Sequence, residues 1–379
     1  MASRLIESQK ALGHDAWMVN AISSTLRQEP LAKPLHTLAA AVDDYVVKAR
    51  SFSAPISLWR DRLSVDVKRE VASADVIHVH WPHGMIRPKM FSRVFGSTPV
   101  VWTLHDMHLL NSVCHYTLGD RGCVQVGEHC EAVRALFRAS AQSHLDEKKH
   151  AIASLSRLAL VSPSHWLARE ATLSETLRGR KVSVVPNPLP PQTPGEIDSD
   201  LARSQLGVSE TATVFVLMAS SLGDPVKAVP EAIDGFISAA SGSGDAILIL
   251  AGAGSPRGQH PQVKYVGFLD FSQRNRVLAA ADYLLVPSLA ENQPLSISEA
   301  QAMGVSIIVR NTTGLPEHLD IDPEGRAFEN AESISGLLRD LIDNGRRGPQ
   351  ERAALAKAAH TKFDPTLIAQ KYLEIYQSV

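Results

Sequence analysis

Nine short apolar runs recur along this chain, and most are followed by a stretch of helical character. They are DVIHVHW (75–81), PVVWTLHD (99–106), RLALVS (157–162) and KVSVVPNPL (181–189), then TATVFVLMASS (211–221), AILILAGAG (246–254), VKYVGFLD (263–270), YLLVPS (283–288) and VSIIVR (305–310). Runs this continuously apolar suit strands covered on both faces. Their alternation with helices therefore predicts parallel sheets in an α/β fold. The rhythm breaks once, at the proline-rich PNPLPPQTPG (186–195), which reads as a stiff connector. A chain of 379 residues is long enough for two domains, each with its own core. The expected division is 1–188 and 189–364, with a terminal helix over 365–379 whose apolar residues Leu367, Ile368, Tyr372, Leu373 and Ile375 or Tyr376 pack back on the first domain.

Composition narrows the function classes. With 44% hydrophobic and 21% charged residues the chain reads as globular, and no apolar run approaches the roughly 20 residues of a membrane span. The opening MASRLIESQKALG is polar and unlike a signal peptide, so cytoplasmic residence is the expectation. Residues 1–190 carry 23 Lys and Arg against 17 Asp and Glu, whereas residues 191–379 carry 15 against 23. The basic first half is a weak signal for anionic lipid or phosphate-bearing acceptors. Its scattered charges, without zinc-finger spacing or aromatic interleaving, disfavour nucleic acid.

In the first half, residues 2–12 read as an amphipathic helix with Leu5, Ile6 and Leu12 inward, and AWMVN (16–20) as a strand. Residues 35–70 read as mostly helical, and 131–158 as one or two helices. His80, His83 and His105 all fall at carboxyl ends of strands, where open parallel sheets bind ligands. His105 is favoured, since a strand-end imidazole can donate to a sugar hydroxyl or stabilise charge near a leaving phosphate. Any one of them can equally be an ordinary satisfied histidine. Cys114, Cys123 and Cys130 lack the tight CxxC spacing of a structural zinc site. Buried thiols or a pair that oxidises are the readings, with a bound metal the lesser alternative.

In the second half, Lys227 stands near the start of a helix that follows a strand, where its charge can join helix-terminal amides in holding a pyrophosphate. The same lysine can also be a surface residue. AILILAGAG is strand plus glycine-rich loop, a weak phosphate signal. Glu291 falls in the loop of PSLAENQPLSISEAQAMG, and Glu299 on the roughly three-turn helix after it, ended by Gly304. Carboxylates offer only acceptors and so suit paired hydroxyls: Glu299 can hold a ribose diol and Glu291 a hexose, on one ligand about 10 Å across. The alternative is a solvated first turn in which acids favour the helix dipole. The turn Thr312-Thr313-Gly314 offers backbone amides to a phosphate or sugar.

The string ENQPLSISEAQAMG, with DPVK upstream and TTGLPEH downstream, resembles the E-x7-E region of retaining GT-B glycosyltransferases of family 4. VVWTLHDMHLLNSVCHY, VSPSHWLA and VVPNPL are similar to the subgroup that builds bacterial surface polysaccharides. The resemblance covers nearly the whole chain. It implies a GT-B fold, two Rossmann-like domains facing across a cleft, and transfer of a hexose from a UDP- or GDP-sugar to a glycan or lipid-linked saccharide. It implies retention, no divalent metal, and peripheral contact with the inner face of the membrane. On these residues it implies that Glu299 binds the donor ribose, Glu291 with Asn292 meets the transferred sugar, and Lys227 neutralises the diphosphate. His105 would reach the sugar from the other domain, assisted by amides around Thr312, Thr313 and Gly314.

Three departures accompany the resemblance. No arginine lies beside Lys227, where Val226 stands instead. Asn292 and Gln293 replace the residues common after the first glutamate. The family's first strand and its glycine-rich turn have no counterpart upstream of Ala2, and a late start is the expectation. The alternative functions are a GT-B enzyme of another class, inverting or sugar-phosphate-processing, and a catalytically impaired glycan-binding or assembly subunit.

Overall fold

The computed structural model describes residues 1–19, 71–82, 86–118, 138–191, 198–242, 245–254 and 260–379. They divide into two compact units, Met1–Pro186 with Thr366–Val379, and Asn187–Pro365. The helical reading of 35–70, together with His83, Cys123 and Cys130, lies outside the described residues.

The first unit is built on four parallel strands in sequential order: β1 (Ile77–Val79), β2 (Val100–Thr103), β3 (Leu158–Ser162) and β4 (Val182–Val184). Period-2 alternation sends neighbouring residues of β2 into different cores. Val100 and Trp102 join Phe91, Leu110, Ile152 and Leu177, whereas Val101 joins Leu5, Val161, Ile368 and Tyr372. The second of these cores holds helices Ala2–Ala11 and Pro365–Ser378 against the sheet. Leu367, expected inward, is half exposed, because the buried stripe of its helix runs through Ile368, Ala369 and Tyr372. The AWMVN strand is corrected too: residues 16–19 pair with no strand among the described residues, and Trp17 and Met18 are about half exposed.

The second unit is a six-stranded, wholly parallel sheet of β5 (Thr213–Ser221), β6 (Ala246–Ala253), β7 (Val263–Gly267), β8 (Tyr283–Val286), β9 (Ser306–Arg310) and β10 (Arg326–Phe328). Its order is β10-β9-β8-β5-β6-β7. Strand order therefore reverses between β5 and β8, the doubly wound arrangement in which ligands lie beyond the carboxyl ends at the reversal. Alternate residues feed two cores, Phe215, Leu248, Leu285 and Ile308 on one face, and Val214, Ile249, Leu284 and Ile307 on the other. At roughly 1.5–3 kcal/mol per buried aliphatic side chain, such a double core explains why the strands read as unbroken apolar runs. Gly252, suspected of phosphate contact, has a structural use, since a Cβ there would stand 2.2 Å from the Ala219 carbonyl oxygen where β5 bulges. The three-residue edge strand β10 carries no periodic signal and escapes sequence reading.

Candidate active site

The carboxyl ends of β5 and β8 place the two halves of the acid-bearing site side by side. Beyond β5 the chain turns at Asp224, whose side chain accepts from the Val226 amide at 3.0 Å and starts the 3-10 turn Pro225–Lys227. Beyond β8 the Leu289 amide donates to the Val226 carbonyl at 2.8 Å, tying the two loops together. Lys227 Nζ then forms an ion pair with Glu291 Oε1, with the lysine side chain 25% and the carboxylate 14% exposed. The pair is thus screened from most water but open on one side, so its charges are stronger than those of a surface pair.

Glu291 is held from behind by the third loop. Its amide donates to Thr313 Oγ1 at 3.0 Å, and its carbonyl accepts from the Gly314 amide at 3.0 Å. Thr313 adopts φ +51, an uncommon conformation for a β-branched residue, which aims its hydroxyl at the acid loop. The Thr312 amide donates to the Arg310 carbonyl at 2.8 Å. The Thr312 and Gly314 amides are thus both engaged by carbonyls of the fold. Thr313 keeps a hydroxyl hydrogen to donate.

Asn292 is buried at the acid loop, and Gln293 next to it receives the Asn187 amide on Oε1 at 2.6 Å. The linker asparagine of PNPL is in this way stitched to the site, a role that sequence reading missed. Helix Leu295–Ala302 follows, eight residues rather than three full turns, stopping ahead of Gly304 with its φ of +73. Glu299 lies inside it, only 4% exposed, with Oε2 3.2 Å from Arg274 Nη2. Sequence reading missed Arg274 as well, because it belongs to another helix, Phe271–Ala280, 25 positions away. Arg310, from β9, donates to the Pro287 carbonyl at 2.9 Å and pairs with Glu231, anchoring the exit of β8.

In the first unit, His105 lies at the end of β2 beside His80, with Nε2 and Nδ1 2.9 Å apart. His78 packs against His80 with the rings tilted and their centroids 4.0 Å apart, and it bonds to Tyr376 OH at 2.6 Å and Thr103 Oγ1 at 2.7 Å. Burial, with neighbouring histidines adding, lowers His78 to about 3 and moves His80 well below its usual value. Burial likewise takes His105 to about 4, although Asp106 opposes the shift. These imidazoles are neutral at pH 7 and fit hydrogen-bond donation rather than a fixed positive charge. The adjoining loop is fastened by Lys148, a fully buried side chain that donates to the carbonyls of His108, Asn111 and Ser112. Cys114 is buried. Among the described residues no cluster of His, Cys, Asp or Glu has the arrangement of a metal site, and no helix is long and apolar enough to cross a membrane.

Two parallel-sheet α/β units, the second doubly wound with acids and a lysine at its reversal point, constitute a GT-B fold. The sequence comparison is more specific: residues 213–344, within the second unit, match the family described as Glycosyl transferases group 1. The chain is 26% identical over 214 residues to a GDP-mannose-dependent monoacylated alpha-(1-6)-phosphatidylinositol monomannoside mannosyltransferase of Corynebacterium glutamicum, covering 50% of this chain and 52% of that protein. It is 31% identical over 108 residues to N,N'-diacetylbacillosaminyl-diphospho-undecaprenol alpha-1,3-N-acetylgalactosaminyltransferase of Campylobacter jejuni, covering 27% and 28%. The matches thus span about half or less of these curated relatives. Among solved structures, Anabaena Alr3699/HepE in complex with UDP superposes with a TM-score of 0.58 at 18% identity, covering 83% of this chain and 81% of that one.

Proposed function

We propose that this chain is a retaining glycosyltransferase of family 4 that moves a hexose or related sugar from a UDP- or GDP-sugar to a glycan or lipid-linked saccharide in surface-polysaccharide synthesis. The observation that carries the reading is the Lys227–Glu291 pair at the β5/β8 reversal, braced by Thr313 and Gly314. In this reading Lys227 leaves Glu291 to meet the diphosphate, and Glu291, with Asn292 beside it, accepts from hydroxyls of the transferred sugar. Glu299 accepts from the ribose diol, a task suited to a buried group that offers only acceptors. The leaving diphosphate is stabilised by the lysine and the Thr313 hydroxyl without a divalent cation. His105, neutral and donating, serves the sugar. The mannosyl- and N-acetylgalactosaminyltransferase relatives support lipid-linked acceptors, and with them peripheral contact at an anionic membrane.

The test is release of nucleoside diphosphate from a panel of UDP-, GDP- and TDP-sugars, with and without saccharide acceptors. Lys227→Ala and Glu299→Ala are expected to lower turnover at least about 100-fold. Turnover like that of the unchanged protein would remove the donor site from these residues, and a product of inverted anomeric configuration would exclude retention.

A further inference from the structure

The pairing of Glu299 with a residue from a different helix extends this reading. We propose that Arg274 is a positioning residue for Glu299, fixing its carboxylate to receive the 2′,3′-diol of a nucleoside diphosphate; the proposal rests on the assignment of Glu299 to the ribose.

Arg274 is the fourth residue of helix Phe271–Ala280, which starts after β7 at the carboxyl side of the sheet. The start of that helix is set by a capping box, with the Asp270 side chain accepting from the Gln273 amide at 2.8 Å and Gln273 Oε1 from the Asp270 amide at 2.9 Å. Phe271 then stands one turn before Arg274, and the guanidinium lies over its ring, 5.1 Å from the centroid. A planar cation laid on an aromatic face has few orientations, unlike a lysine on a flexible stem. Its Nη2 reaches 3.2 Å from Glu299 Oε2.

Exposure within the pair is uneven. The carboxylate is 5% exposed and the guanidinium 30%, so the acid lies deep and the cation partly in the open. A carboxylate buried that far is costly unless a cation accompanies it, and Arg274 supplies one. Because the guanidinium lies over Phe271, it also biases where the carboxylate oxygens point. The phosphate-facing role already belongs to Lys227, which is paired with Glu291. What remains for Arg274 is to keep the Glu299 carboxylate aimed.

Calorimetric titration of the full chain with UDP, GDP and ADP, followed by the 2′-deoxy counterpart of the tightest, tests this. The unchanged protein is expected to prefer the ribonucleotide by about tenfold or more, since loss of one hydroxyl leaves a buried acceptor unsatisfied. Glu299→Gln should reduce that preference to about threefold or less, and Arg274→Ala should do the same. The double variant should lose nothing further, and Arg274→Lys should fall between. The ratio between the two ligands is read on folded protein, so a merely structural role of Arg274 would leave it unchanged. If Arg274→Ala does not fold, Arg274→Lys alone decides: a reduced ratio supports positioning, and the full ratio of the unchanged protein refutes it. Full preference in the Arg274 variants, with loss in Glu299→Gln, would refute positioning and leave the ribose assignment standing. Full preference in Glu299→Gln, or no nucleotide binding by the unchanged protein, would overturn the ribose assignment itself.

Discussion

Replacing Gly314 by alanine isolates the brace behind Glu291. The backbone there has φ −82, which any residue adopts, so strain from conformation does not enter. The obstacle is space: a Cβ would stand 2.1 Å from the Asn292 carbonyl oxygen and 3.0 Å from its carbon. Restoring an ordinary contact of about 3.4 Å requires the acid loop to retreat by about 1.3 Å. The bond from the Gly314 amide to the Glu291 carbonyl, now 3.0 Å, would then stretch past 4 Å and break. Overpacking of this kind costs about 1–3 kcal/mol, too little to unfold the unit, whereas a displacement of about 1 Å at a reacting group costs about 100-fold in rate. The expectation for Gly314→Ala is therefore a folded protein with turnover reduced about 100-fold, read as nucleoside diphosphate release from its best donor. Gly336 is the control. It lies in helix Ala331–Asn344 with nothing within 4 Å of an added Cβ, and alanine there should add about 0.5–1 kcal/mol in urea unfolding and leave turnover intact. Turnover of Gly314→Ala within about threefold of the unchanged protein would refute the reasoning, because the acid loop would then have moved without consequence.

Two stability predictions follow from buried charge. Arg203 and Asp282 are both fully buried and paired at 2.7 Å, with Arg203 also donating to the Ala212 carbonyl at 2.7 Å. Arg203→Met should destabilise by about 3–5 kcal/mol in urea unfolding, since it removes the cation from a fully buried carboxylate, and a loss below about 1 kcal/mol would count against the pair. The histidines of the first unit predict acid sensitivity of a known sign. His78 at about 3 and His105 at about 4 lie below their unfolded value of 6.5, so the unfolded chain binds more protons between these limits. Their stability contribution is complete above pH 6.5 and is lost as pH falls toward 4, by roughly 1 kcal/mol per pH unit for each histidine. His78→Gln should flatten the fall in urea-unfolding stability between pH 6.5 and 4.5, and an unchanged slope would count against the assignment.

Much of the architecture is legible in the chain because its cause is local. Strands such as TATVFVLMASS and AILILAGAG hold unbroken apolar stretches because each face of the sheet buries alternate residues, and Val214 and Phe215 duly enter different cores. Polar runs expose their ends, so the placement of Lys227, Glu291 and Glu299 beyond strands could be read from spacing. AWMVN shows the limit: four apolar residues before Asn20 resemble a strand, yet strand character needs a partner, and residues 16–19 pair with no strand among the described residues.

The sequence by itself determined two α/β units, the strands from β1 to β9 and the residue types beyond their carboxyl ends. Only the tertiary structure decided which of those residues meet. The reversal of strand order between β5 and β8 brings Lys227 to Glu291 across 64 positions, and the capped helix after β7 brings Arg274 to Glu299. The Thr312 and Gly314 amides, which a string of letters offers to a phosphate, are spent on neighbouring carbonyls. The physical reason is that periodicity records which residues are buried, a property of each element alone. Hydrogen-bond and ion-pair partners depend on how loops from distant strands converge, and on nothing within any one of them.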